Sequence, residues 1–261
     1  MASHVEQWSQ ALKEWALPSE IENSAEESPW IHPPVMFTVP EHIASTPSHD
    51  RAREALRAGD TVLDVGCGGG IAAFALTPPA TSVIGVDHQP EMLAMFERNA
   101  AMRHLNVQTF EGFWPEVASD VPSGDVVTAH HVAYNVSDIE PFIRALDAHA
   151  RARVVIEIPD HHPLSDMSEA WRHFWKLERP SKPTSRDLYE VLLELGLDAH
   201  LEQWTGELRR ELDPDLAAEF LRIRLCLPAS RLVEVREFLD QQPAHSGRAL
   251  STLWWDTASK K

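Results

Sequence analysis

The sequence feature that most constrains the fold is a glycine-rich turn between an apolar run and a helical pattern. The stretch VLDVGCGGGIAAFAL spans residues 62–76 and places glycine at positions 66, 68, 69 and 70. Glycine accepts positive φ and leaves no Cβ in the way of a ligand. A turn of this kind after a strand predicts a nucleotide-like ligand at the carboxyl edge of an open α/β sheet.

Short β-branched runs alternate with helical patterns along much of the chain. Further strands are predicted at 81–87, 106–110, 125–131, 153–159, 198–207 and 247–257, and helices at 4–16, 50–58, 90–103, 137–150, 166–177, 185–195, 214–224 and 230–240. This alternation indicates a parallel sheet covered by helices, closed by a reversed final hairpin. The predicted fold class is therefore α/β: a Rossmann-like, doubly wound, mostly parallel seven-stranded sheet with helices on both faces and an antiparallel last strand.

The spacing of the glycines selects among nucleotide-like ligands. The NAD-binding pattern G-x-G-x-x-G, begun at Gly66, meets the bulky Ile71 where close packing of helix and strand needs a small residue. The pattern G-x-G-x-G fits instead. An acid, Asp64, lies two residues before the turn. A carboxylate there would repel a pyrophosphate and favour an ammonium group.

A second acid, Asp87, ends the next predicted strand. A carboxylate at that position can accept two hydrogen bonds from a ribose diol. The two acids and the turn therefore favour a ligand with an ammonium group, a ribose diol and no phosphate. S-adenosylmethionine has these three properties.

The segments VLDVGCGGG and VIGVDHQPEML together resemble the class I S-adenosylmethionine-dependent methyltransferases, over roughly residues 55–160. The longer pattern, with ESPW near the N-terminus and NVSDIEPF after the fourth strand, also resembles a group of actinobacterial methyltransferases of unassigned substrate. The resemblance implies S-adenosyl-L-methionine as cofactor and methyl transfer as the reaction.

The resemblance also implies cofactor contacts for the matched residues. These are Asp64, Gly66, Cys67, Gly68 and Gly70 at the methionine moiety, Asp87 at the ribose hydroxyls, His88, Met92, Glu111, Gly112 and Phe113 around the adenine, and Ala129 and His130 against the cofactor. The thiol of Cys67 is interpreted as a small buried filler and not as a nucleophile, because no basic neighbour in the sequence would lower its pKa.

Two histidine pairs, His130–His131 and His161–His162, follow the fourth and fifth predicted strands. A histidine at that edge can act as general base for a hydroxyl or amine, and polar packing or a metal site are the alternatives. Neighbours on a strand point to opposite faces, so each pair offers at most one metal ligand, and we predict no metal. Our candidate base is His131, with Tyr134 as a second catalytic candidate.

The predicted organisation is an N-terminal cap or lid at 1–50, then a class I methyltransferase domain at 51–261 with a substrate-side insertion at about 160–185. Trp8 and Trp15 share one face of the first helix, which predicts either core packing or a lid over the acceptor. The segment WRHFWKLERP at 171–180 is either a packed helix or part of the acceptor site.

Composition limits the choice of partners. The chain of 261 residues carries 23 basic and 40 acidic side chains, a net charge of −17. Such a surface repels phosphate backbones and anionic membranes, so we expect neither as a partner. A local basic patch that binds nucleic acid is the alternative that net charge alone leaves open. Two distant cysteines, Cys67 and Cys226, and the lack of an apolar leader or membrane-length run predict a cytoplasmic protein with reduced thiols.

The function predicted from the sequence is methyl transfer from S-adenosylmethionine to a small-molecule acceptor, by a monomer or homodimer. The alternative is a non-catalytic S-adenosylmethionine-binding module or partner subunit, since methyl transfer often needs only positioning. An NAD-dependent oxidoreductase of the same fold is disfavoured by Asp64 and Ile71.

Overall fold

A computed structural model describes residues 2–30, 38–206, 213–243 and 247–257 of the chain. The strands are β1 (Thr61–Val65), β2 (Ser82–Asp87), β3 (Asn106–Glu111), β4 (Gly124–His130), β5 (Ala150–Pro159), β6 (His200–Gly206) and β7 (Arg248–Asp256). The helices are α1 (His4–Lys13), α2 (Ser19–Glu22), α3 (Pro47–Glu54), α4 (Ile71–Phe74), α5 (Pro90–Met102), α6 (Ile139–His149), α7 (Ser168–Trp175), α8 (Ser185–Glu194), α9 (Pro214–Arg224) and α10 (Leu232–Asp240).

The strands form one sheet in the order β3-β2-β1-β4-β5-β7-β6. The first five strands of the chain pair in parallel, whereas β7 runs antiparallel to both β5 and β6. The predicted fold class is confirmed. The winding direction reverses between β1 and β4, and a crevice opens at the carboxyl ends of strands at such a switch point.

Successive strand residues point to opposite faces of the sheet and pack into two hydrophobic cores, one on each face. On one face, Leu63, Val127 and Ile156 belong to a cluster that includes residues of α1, α6 and α8. On the other face, Val62 and Val126 belong to a cluster completed by α3, α4 and α5. A third apolar cluster joins α2, α7, α9 and α10.

Local capping explains where the structure departs from the predicted boundaries. The helix predicted at 50–58 begins three residues earlier, because the side chain of Thr46 accepts a hydrogen bond from the backbone of His49 and Pro47 occupies the first turn. The strand predicted at 125–131 ends at His130, because His131 has a φ of 62° and leaves the extended region.

The first helix is part of the packed structure. Trp8 is 1% exposed, and its indole N–H donates to the carbonyl of Val136 at 2.9 Å. Trp15, which the sequence pattern predicts on this helix, lies beyond its end at Lys13; it is also buried, and its indole N–H donates to the carbonyl of Lys182 at 2.5 Å. The domain boundary at residue 50 stays a prediction, and residues 31–37 of the predicted cap lie outside the described residues. Among the described helices, none combines the length and the apolar character needed to cross a membrane.

We predict that Trp8→Ala lowers the free energy of unfolding by about 3–5 kcal/mol, because it removes a buried indole and leaves a cavity. Urea unfolding followed by circular dichroism measures the change. The matched control is Trp30→Ala, at a site 47% exposed, which should cost less than about 1 kcal/mol. Equal losses for the two variants would contradict the packed role of the first helix.

Candidate functional site

The glycine turn is held against the ends of two neighbouring strands. The backbone N–H groups of Gly66 and Cys67 both donate to the carbonyl of Val86, at 2.8 and 3.0 Å. Gly66 has a φ of 71°, and a Cβ added there would lie 2.4 Å from Cγ2 of Val132. The loop after β4 therefore packs directly on the turn after β1, at the switch point of the sheet.

Asp64 is buried beneath this turn, near the end of β1. Its Oδ1 accepts a hydrogen bond from the hydroxyl of Thr128 at 2.9 Å, and its Oδ2 accepts one from the backbone of Ala73 at 3.3 Å. Burial raises the pKa of Asp64 to about 7, against the opposing effect of these two hydrogen bonds. None of the groups that shift this pKa is a cation. A buried carboxylate without a positive partner among the described residues fits a ligand that carries an ammonium group.

Asp87 ends β2 and is tied to the same turn. Its Oδ2 accepts from the backbone N–H of Gly68 at 2.9 Å, and its Oδ1 accepts from the backbone N–H of Gln89 at 3.0 Å. A carboxylate has about four acceptor sites, so two hydrogen bonds leave capacity for a pair of hydroxyls. The carboxylate is fixed in direction and fits a ribose diol.

The loops after β2 and β3 meet beside Asp87. The rings of His88 and Phe113 stack with centroids 4.7 Å apart, and Phe113 is 64% exposed. The N–H of Gly112, at a φ of 148°, donates to the carbonyl of Asp87 at 3.0 Å. The structure thus brings these predicted adenine residues together at one end of the turn.

The remaining predicted cofactor residues occupy different surroundings. Met92 is buried on α5, whereas Glu111 is exposed at the end of β3. Ala129 is fully buried within β4. The thiol of Cys67 is buried, and burial raises its pKa well above the ordinary value, so the thiolate is disfavoured. The cofactor contacts of all four stay predictions.

A cluster of histidines surrounds a buried acid at the ends of β4 and β5. Nε2 of His131 lies 3.1 Å from Oε1 of Glu157, and Nδ1 of His130 lies 4.0 Å from Oε2. The hydroxyl of Thr46 donates to Oε2 at 3.3 Å, and the ring of His49 stacks on His130 at 5.6 Å. Burial alone would raise the pKa of Glu157, but the charge of His130 and the hydrogen bond from His131 outweigh it and hold the pKa far below its usual range.

The backbone of His131 is held in an unusual conformation. Its φ of 62° is in the left-handed region, which is rare for a residue with a side chain. Its backbone N–H donates to the carbonyl of Glu157 at 2.6 Å, so both the main chain and the side chain of Glu157 hold it. Backbone strain of this kind is concentrated at functional sites.

Sequence reasoning missed Glu157 and His49. An available signal for Glu157 was its position inside the apolar strand VVIEIP, where a buried carboxylate needs partners. No local motif marks His49, which reaches the cluster because α3 packs over the end of β5.

Tyr134 and His162, one member of the second histidine pair, lie against the N-terminal segment. The hydroxyl of Tyr134 donates to the carbonyl of Pro159 at 3.0 Å, and burial raises its pKa, so the phenol is held in its neutral form. The ring of His162 stacks on Trp15 at 4.1 Å and meets the ring of Tyr134 edge-on at 5.2 Å. Burial lowers the pKa of His162 to about 4. This geometry favours a positioning role for Tyr134, and its catalytic role stays a prediction.

His161 forms an isolated antiparallel β-bridge with Thr184. Across the described residues, no group of three or more histidine, cysteine or acidic side chains is arranged to hold a metal ion.

The model of a methyltransferase-domain family matches residues 41–202, more than half of the chain. A protein of Haemophilus influenzae described as uncharacterized is 28% identical over 211 residues, which cover 76% of each chain. The uncharacterized methyltransferase YcgJ of Bacillus subtilis is 28% identical over 137 residues, 51% of this chain and 54% of YcgJ.

Two solved structures share the fold. The crystal structure of YcgJ has a TM-score of 0.55 and 18% identity, covering 80% of this chain and 97% of that one. Magnesium protoporphyrin IX methyltransferase from Synechocystis, solved with bound SAH, has a TM-score of 0.50 and 13% identity, covering 77% of this chain and 75% of its own.

We predict that Gly66→Ala destabilises the protein more than Gly59→Ala does. Both residues have positive φ, which costs about 1–2 kcal/mol for alanine, but the added Cβ at Gly59 meets nothing within 4 Å. The Cβ at Gly66 meets the stiff side chain of Val132, which adds about 1–3 kcal/mol. Chemical unfolding measures both variants. If Gly59→Ala costs as much as Gly66→Ala, or adding Val132→Ala recovers none of the excess, the close contact is not what requires glycine.

Proposed function

We propose that this chain, which belongs to the class I S-adenosylmethionine-dependent methyltransferase family, methylates a small-molecule acceptor. The proposed acceptor site lies at the carboxyl edge of β1, β4 and β5. The protein is a methyltransferase and S-adenosylmethionine is its cofactor. The acceptor class and the residue roles below are our proposal. The observation that carries it is the pair of buried carboxylates at the glycine turn: Asp87 accepts from Gly68 in the turn, and Asp64 accepts from Ala73 in the helix that follows it.

On the cofactor side, the two acids would bind different groups of the ligand. Asp64 lies beneath the turn and would receive the ammonium group, which compensates its buried charge. Asp87 is oriented by the N–H groups of Gly68 and Gln89, and its carboxylate would accept from the ribose hydroxyls. The stacked rings of His88 and Phe113 would cover the adenine. When bound, the cofactor supplies an electrophilic methyl group on a sulfonium.

On the acceptor side, His131 and Glu157 form a dyad suited to proton removal. Glu157 is anionic and accepts from Nε2–H of His131, which leaves Nδ1 as the basic nitrogen of the neutral ring. In this proposal Nδ1 takes the proton of a hydroxyl or amine as the acceptor is methylated, and Glu157 stabilises the resulting imidazolium.

The charge of the chain supports a small acceptor. With 40 acidic and 23 basic side chains, the protein repels nucleic acid at long range. Trp8 and Trp15 pack the N-terminal segment against the loops after β4 and β5. This packing supports an enclosed acceptor site from which water is excluded.

We predict that Asp87→Ala weakens the binding of S-adenosylhomocysteine by about 1–3 kcal/mol, because two hydrogen bonds to the ribose are lost. Isothermal titration calorimetry measures the affinity. Glu91→Ala, which removes an exposed carboxylate from the first turn of α5, is the matched control and should bind as the wild type does. Unchanged affinity for Asp87→Ala would overturn this assignment.

We predict that the affinity for S-adenosylhomocysteine rises with pH between 5.5 and 7, by up to about tenfold per pH unit. Burial raises the pKa of Asp64 to about 7 in the free protein, and an ammonium ligand favours the ionised form, so binding below pH 7 must release a proton. The raised pKa of Asp64 also affects the free energy of unfolding of the free protein. Because the folded protein holds this proton more tightly than the unfolded chain does, the contribution of Asp64 to stability is full below about pH 4 and is lost as the pH rises through 7.

Calorimetry across this range checks the dependence. The variant Asp64→Asn should flatten the profile, since its side chain does not titrate. A wild-type affinity that does not change between pH 5.5 and 7 would contradict an ammonium contact at Asp64.

We predict that His131→Ala lowers turnover by about 10²–10⁴-fold and leaves the affinity for S-adenosylhomocysteine within twofold. Glu157→Gln should lower turnover and shift the acid limb of the pH–rate profile, because the imidazolium loses its counter-charge. Transfer of a labelled methyl group to acceptors in a metabolite mixture provides the assay. His104→Ala, an exposed histidine that also has positive φ, is the control and should keep full turnover. Full turnover in His131→Ala would exclude it as the base.

A further inference from the structure

Arg179 lies between two tryptophan rings, after α7. Its guanidinium carbon is 5.1 Å from the ring centroid of Trp15 and 5.5 Å from that of Trp171. One terminal nitrogen donates to the carbonyl of Trp15. Its Nε is buried and has no hydrogen-bond partner in the part of the chain that the structure describes. Most buried N–H groups have a partner, so this one indicates a missing ligand or water.

Two other arginines with little exposed surface, Arg222 and Arg153, are paired with acids. Arg222 is 2% exposed and contacts Glu27 and, at 2.7 Å, Glu219. Arg153 contacts Asp256 at 2.7 Å and Glu54 at 3.0 Å.

Arg179 differs from these two arginines, although acids are abundant in the chain. Burial lowers its pKa, and no carboxylate among the described residues raises it again. Leaving a partly buried charge without a counter-charge costs stability. An anion bound from solution would supply the missing counter-charge and offset this loss of stability.

A series of ring contacts links Arg179 to the carboxyl edge of the sheet. Trp15 stacks on His162, and His162 meets Tyr134 edge-on. The hydroxyl of Tyr134 donates to Pro159, two residues after Glu157 in β5. Arg179 is also close enough to His162 to contribute to lowering its pKa. The guanidinium therefore stands at the same edge as the proposed dyad.

We propose that Arg179 binds the carboxylate of the acceptor, which is then an aromatic carboxylic acid. This inference rests on the proposed function and names its substrate class. The planar fork of a guanidinium matches a carboxylate, and indole rings on both sides favour an aromatic body. The strongly negative net charge favours a monoanion over a phosphate.

The test is thermal unfolding of the full chain with benzoate, benzamide or inorganic phosphate, each with and without S-adenosylhomocysteine. We expect benzoate to raise the Tm of the wild type saturably by about 2–4 °C, and the neutral benzamide to have no effect. Arg179→Met keeps an apolar stem between the indoles and should abolish the benzoate shift. Its own Tm should be no lower than that of the wild type, because an unpaired charge is removed.

Two further variants keep the test decisive. Arg172→Met, at an exposed arginine of the same segment that pairs with Glu178, should leave the benzoate shift intact. Arg179→Lys keeps the positive charge but lacks the planar guanidinium fork, so we expect a smaller benzoate shift. This variant replaces Arg179→Met in the test if Arg179→Met does not fold.

A wild type without a saturable benzoate shift, or a shift that survives Arg179→Met, would overturn the proposal. An equal shift with phosphate would overturn the carboxylate assignment. A lower Tm for Arg179→Met without any benzoate effect in the wild type would mean that Arg179 only clamps the two tryptophans. Failure of S-adenosylhomocysteine to bind would count against the proposed function instead, because the benzoate shift is also measured without it.

Discussion

The contact between Gly66 and Val132 is the constraint on which the rest of the site depends. It joins the turn after β1 to the loop after β4, at the point where the winding of the sheet reverses. Because no Cβ intervenes, the loop lies directly on the turn. Asp64 precedes this turn and Asp87 accepts from its Gly68, whereas His131, which contacts Glu157, precedes Val132 in the loop.

Buried charges at this edge of the sheet differ in whether a group of opposite charge lies beside them. Within the described part of the chain, Asp64 is buried with hydrogen bonds but no cation, whereas Glu157 is buried with two histidines and a hydroxyl donor. Arg179 is the reverse case, a half-buried cation between indoles without an acid among the described residues. Uncompensated charges are costly in a folded protein, so their presence at one edge supports a site that is completed by its ligands.

The fold could be predicted because its signals are local. The strand, the glycine turn and Asp87 lie within 26 residues of one another, and backbone conformation at the glycines follows from residue type. Of the two residues in the dyad, the sequence predicts only one. The position of His131 after a strand indicates a site residue, whereas its partner Glu157 comes from the next strand. Arg179 and Trp15 are 164 residues apart, and only tertiary packing brings them together.

The glycine turn, with Asp64 and Asp87, is the proposed binding site of S-adenosylmethionine. The most direct measurement is isothermal titration of the purified protein with S-adenosylmethionine, S-adenosylhomocysteine and NAD in parallel. We predict micromolar binding of the first two ligands and none of NAD. Binding of NAD, or of none of the three, would contradict it.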